Sequence, residues 1–251
     1  MIDTTPHMIT ALLAMGMALA FIIADRSSPT SRALALFLVS IGLAIGVGSQ
    51  IAYPLHFAGR IEWWDGVFAI PETAAFFFAY EWIRRVRRTV PAAGLKTSGP
   101  DMLLRIAQAL TLVYLAMSLA FPRVRVDNFL NAGFHEVFMV RQPEFWLFAL
   151  PLTISLVLSL FSALLMLRRR PDRAESLRLL AFAAAAPFMA SGIVLPNNVA
   201  PVATAIGLMI FLVGGVQYHV IQGRRAQFMS RFLSPAVAQL VARRGLKSAT
   251  D

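Results

Sequence analysis

Glu72 lies within the apolar run FAIPETAAFFFAY, residues 68–80, farther from any polar flank than the other carboxylates. A charge held in hydrocarbon costs roughly 2.5–3.5 kcal/mol on insertion scales, so such a residue faces the interior of a helix bundle and finds a partner there. Two readings follow. In one, Glu72 senses a proton or a ligand together with Pro71, whose missing N–H leaves a backbone carbonyl open nearby; in the other it is a hydrogen-bonded glutamate that packs. Imidazoles that could join it are His56 and His135, the latter followed by Glu136, and His7, Glu62 and Asp65 fall on the same side of the chain's alternating pattern. Imidazole and carboxylate together make metal ligands, but no HxH or HxxxH pair occurs and no metal site is assigned. Glu81 is of another kind, because Arg84 and Arg85 follow at i+3 and i+4 and can pair with it on one helix face. Trp63, Trp64 and Trp146 at one boundary and Trp82 at the other read as belt residues.

The elements that must position these groups are helices in a membrane. Hydrophobic residues make up 58% and charged residues 14% of 251, against about a quarter charged in soluble domains. The net charge of +10 does not make a nucleic-acid binder, since that reading needs cations gathered on one soluble face and here they separate apolar runs. The absence of cysteine removes disulfides, thiolate nucleophiles and cysteine metal sites. Met1 to His7 has no basic start, so a cleaved leader is not expected.

Seven apolar runs are present, residues 8–24, 33–57, 67–83, 102–121, 145–167, 176–195 and 200–221. Each is near the length needed to cross a core of about 30 Å, the first and third being least secure. With the C-terminus inside, 19 of the 23 lysines and arginines fall in inner segments, leaving Arg60, Arg123, Arg125 and Arg141 outside. The positive-inside rule therefore puts the N-terminus outside. Gly42 and Gly46 form a GxxxG pair for close packing, within the bundle or between subunits. Residues 122–144 predict an interfacial helix over the outer mouth, capped by Asp127 and carrying Phe129, Leu130, Phe134, Val137 and Phe138. Some chemistries fail: neither Lys96 nor Lys247 lies in a span to hold retinal, His56 and His219 sit at opposite ends rather than pairing for haem, and the repeats of secondary transporters are missing.

Past the last run, Gly223-Arg224-Arg225 ends the apolar stretch. Ser234-Pro235 then supplies an N-cap and a first-turn proline for a short helix closed near Gly245. Val237, Leu240 and Val241 share one face of that helix, and Phe228 and Phe232 precede it. The segment Arg225 to Val241, RAQFMSRFLSPAVAQLV, resembles the stretch that joins membrane anchor to catalytic domain in many bacterial class III adenylate/guanylate cyclases. The resemblance covers that segment alone. It implies a cytoplasmic cyclase domain, active as a dimer with ATP and Mg or Mn, whose metal-binding aspartates and transition-state arginine and asparagine have no counterpart before Asp251, so no catalytic residue is carried over.

The expectation is an all-α, seven-transmembrane-helix bundle over residues 1–223, with a linker helix over 224–251. It is a homodimeric sensor or anchor in the bacterial inner membrane for a nucleotide cyclase, with no cofactor of its own and no nucleic acid partner. Sensing falls to Glu72, Pro71, His56, His135 and Glu136. Coupling falls to Phe228, Phe232, Ser234, Pro235, Val237, Leu240 and Val241. The alternative is a stand-alone polytopic protein, either a small-molecule transporter or a sensor for a separate partner.

Overall fold

The computed structural model describes residues 4–52, 64–89, 98–130, 142–168, 172–192, 195 and 199–232, and among these it is helical with no strand. Seven long helices follow in order: α1 Thr5–Ala24, α2 Pro29–Val47, α3 Ala69–Thr89, α4 Ser98–Ala120, α5 Pro143–Arg168, α6 Arg173–Ser191 and α7 Ala200–Phe232. Short turns, Trp64–Val67 and Pro122–Val124, precede α3 and follow α4. Two π-helical segments, Gly48–Ala52 and Arg125–Leu130, extend α2 and the second of these turns.

Among the described residues, five helices are long and apolar enough to cross a membrane: α1, α2 extended to Ile51, α4, α5 and α7 up to Arg225. Their outward faces are the apolar ones, with Ile9 and Leu12 62% and 64% exposed, whereas Thr111, Ser118, Ser155, Ser159 and Ser162 are fully buried. Leucine outside and serine inside is the arrangement of a protein dissolved in lipid, where hydroxyls bond backbone carbonyls within the bundle. Ser118 donates to Tyr114 O at 2.7 Å and Ser155 to Leu152 O at 2.8 Å. The two less apolar long helices, α3 and α6, carry Glu72, Glu81 and Arg84, and Arg173, Glu175 and Arg178. Most of these charges are answered inside the bundle. Glu81 pairs with Arg84 at 2.6 Å and Arg85 at 2.8 Å, the anchoring expected from their spacing.

Helix α1 packs on α2 and α7, α2 on α3, α3 on α4, α4 on α5, and α6 on α7. Small residues permit the closest of these approaches. A Cβ on Gly42 would lie 3.1 Å from Ala11 O, so the GxxxG face serves packing of α2 on α1 within the chain. The central core gathers Phe21, Phe37, Leu38, Trp82, Leu104, Leu179 and Phe211, and a second cluster holds Tyr114, Phe129, Phe145 and Phe148.

Several expectations change here. Trp82 is 0% exposed; rather than lying in an interfacial belt it packs on Phe182 and Phe211, with ring centroids 5.4 and 5.3 Å away. The helix after α4 starts at Pro122 rather than at Asp127, and Phe129 is buried against Phe145 and Phe148 instead of facing lipid. Phe134, Val137 and Phe138 lie outside the described residues. Pro71 does not free a carbonyl inside a helix. It stands in the first turn of α3, where its missing N–H has no helical partner to lose, and a turn at Phe68 separates α3 from the short helical turn before it. Finally, the basic residues 223–225 do not stop α7, which continues to Phe232.

Candidate functional site

Arg125 is the most deeply buried cation of the described residues, at 1% exposure. The π-helical segment after α4 turns it inward, under α3 and α4. Its Nη2 donates to Glu72 Oε2 at 2.6 Å, its Nε to Tyr114 Oη at 3.1 Å and its Nη1 to Asp65 O at 2.9 Å. Tyr114 Oη in turn donates to the same Glu72 oxygen at 2.7 Å. A buried ion pair is tolerable only when further hydrogen bonds satisfy both partners, and tyrosine and backbone carbonyl supply them here. Glu72 Oε1 accepts no hydrogen bond from the described residues, and the side chain keeps 22% exposure.

That exposed part of Glu72 faces a cavity of about 240 Å³ between the helices. Phe68, Pro71, Glu72, Ala75, Phe76, Ala79 and Tyr80 form one wall, the i, i+3, i+4 stripe of a single helix face. His7 of α1, Ile41 and Ala44 of α2, Met189 of α6 and Thr204 of α7 close the others. Most of its polar groups, Glu72, Arg125, Asp65, His7, Ser49 and Thr204, come from the end where α3 and α7 begin; the Tyr80 hydroxyl, farther along α3, is bonded to Ser155 at 2.9 Å, and the floor is apolar, with Phe37 and Phe182. Both π-helical segments contribute to the walls, through Gly48 and Ser49 and through Arg125, Val126 and Leu130. Such segments are rare and concentrate at functional sites.

Below the floor an aromatic cluster leads to the opposite end. Phe182 touches Trp82 and Phe211. The Arg178 guanidinium lies between the rings of Trp82 and Tyr218, 4.9 and 4.7 Å from their centroids. Tyr218 donates to Glu175 Oε1 at 3.3 Å, and Glu175 pairs with Arg178 at 3.8 Å. Farther out, Arg225 of α7 forms an ion pair with Asp172, the residue before α6. The Asp172 carboxyl is held below its usual range, first by the hydrogen bonds from Arg225.

Of the expected sensing residues, Glu72 and Pro71 line the cavity, whereas His56, His135 and Glu136 lie outside the described residues. His7 and Asp65 line it as well. Among the described residues no three His, Cys, Asp or Glu side chains converge as metal ligands. Of the coupling set, Phe228 and Phe232 are on α7, and Ser234, Pro235, Val237, Leu240 and Val241 lie outside the described residues. Arg125 was counted only as an outer cation; Tyr114, Arg178 and Tyr218 carried no sequence signal beyond being polar groups in apolar surroundings. Comparison with family models, with curated proteins and with solved structures finds no match for this chain.

Proposed function

We propose that this chain is the membrane sensor module of a signalling protein. It spans the bilayer seven times with the N-terminus outside, takes a small molecule into the cavity at Glu72, and works as a homodimer on a cytoplasmic class III nucleotide cyclase. The observation that carries the reading is the continuity of α7. Thr204 in its first turns lines the cavity, and the helix then runs 33 residues, about 50 Å at 1.5 Å per residue against a hydrocarbon core of about 30 Å. A helix that touches the cavity and projects past the membrane can carry a shift from one to the other. The charge asymmetry and the cyclase-like segment from Arg225 to Val241 support the direction and the output. The charges that keep α3 and α6 from reading as apolar spans are partly neutralised within the bundle, as membrane insertion requires.

The test attaches a class III cyclase domain after Gly245 in cells lacking their own cyclase and measures cyclic AMP. Filling the cavity with Ala75→Phe is expected to change output at equal protein level. Unchanged output, or reporter fusions after His7 and Gly223 that report the same side, would overturn the reading.

A further inference from the structure

We propose that the cavity selects a compact lipophile bearing an uncharged hydrogen-bond donor, and rejects carboxylic acids. The inference rests on the cavity's being a sensing site and names the chemistry that fits it. An apolar cavity of about 150 Å³ takes benzene, so about 240 Å³ has room for a two-ring molecule. Its floor and most of its walls are apolar, and its polar groups gather at one end apart from Tyr80, whose hydroxyl is bonded to Ser155, which fixes the orientation: ring system down, head group beside Glu72.

The head group follows from what the polar end has spent. Each Arg125 nitrogen already donates to a protein acceptor, Tyr114, Asp65 O or Glu72. Three of its five N–H groups are thus used, and at 1% exposure the guanidinium presents almost no surface to a ligand anion. Glu72 Oε2 receives two donors, while Oε1 receives none from the described residues. The vacant position at the polar end is thus that of an acceptor, and a charged acceptor in a low-dielectric site rewards a donor strongly. A ligand carboxylate would instead place a second negative charge beside Glu72, and like charges are disfavoured at such range.

Binding is measured by equilibrium dialysis on the full chain in lipid nanodiscs, against empty nanodiscs, with 2-naphthylmethanol, 2-methylnaphthalene and 2-naphthoate as probes. The alcohol is expected to bind saturably and at least about tenfold tighter than methylnaphthalene, the factor of a hydrogen bond to a charged acceptor, with no saturable binding of naphthoate. Ala75→Phe, which fills the wall one turn from Glu72, is expected to abolish binding of the alcohol. Equal affinity for the three probes, tighter binding of the acid, no binding of the alcohol, or binding that survives Ala75→Phe would overturn the inference. The readout is independent of any cyclase: saturable, selective binding together with unaltered cyclic AMP would refute the sensor reading and leave the ligand assignment standing.

Discussion

Glu72 and Arg125 are 53 positions apart in the chain and meet at 2.6 Å, with the arginine fully enclosed and the glutamate open to the cavity on one side. The pair joins α3 to the segment after α4 and sets the charge of the cavity's polar end. Its asymmetry matters, because loss of the carboxylate strands a buried guanidinium, whereas loss of both partners strands neither.

Glu72→Gln is therefore more than a probe of sensing. It leaves Arg125 without its counter-charge, which for a buried pair costs about 3 kcal/mol or somewhat more. Thermal unfolding in detergent should show that loss. The double variant Glu72→Gln/Arg125→Gln should recover a substantial part of it, and additive losses in the double variant would mean that the two side chains are not energetically coupled.

At the opposite end Arg178 is held by ring faces as much as by charge. Lysine keeps the charge but has no plane to stack between Trp82 and Tyr218. Arg178→Lys should cost about 1 kcal/mol, the scale of a cation–π contact, and the cost should shrink once Trp82→Leu has removed one face. Arg224→Lys, at an exposed position of α7, serves as the control and should change nothing measurable. An equal cost for Arg178→Lys with and without Trp82 would show that stacking is not what the arginine contributes.

How far these features were legible follows from their range along the chain. The long helices overlap the apolar runs, and five of them are long and apolar enough to cross a membrane, because hydrophobic period and length are local properties. The pairing of Glu81 with Arg84 and Arg85 is likewise local, at i+3 and i+4. The cavity was legible only through Glu72, since an isolated carboxylate in an apolar run demands a partner. Charge alternation had already left four outer cations to choose from, Arg125 among them, but nothing in sequence separates it from Arg123. The choice depends on the π-helical turn that aims residue 125 inward while Arg123 stays exposed. Trp82 misled for a related reason. A tryptophan near a basic flank reads as interfacial, and only the packing of α6 and α7 over it makes it core.

The last prediction concerns the contact between Asp172 and Arg225, which ties the start of α6 to α7 near the point where α7 leaves the bundle. Arg225 holds the Asp172 carboxyl below its usual range, so the folded protein binds a proton there less readily than the unfolded chain. The stabilisation is then fully present above the unfolded value, about 3.9 for aspartate, and is lost as pH falls through the lower folded value. Both side chains are well exposed to solvent, so the effect is small and screened by salt. Asp172→Asn should accordingly melt slightly lower than the parent chain at pH 7 and at pH 5, with the same difference at both. As pH falls below about 3.9 the difference should shrink, and at neutral pH in 1 M salt it should narrow as well. A difference that neither shrinks as pH falls below about 3.9 nor narrows in high salt would mean that Asp172 acts through packing or helix capping rather than through its charge on Arg225.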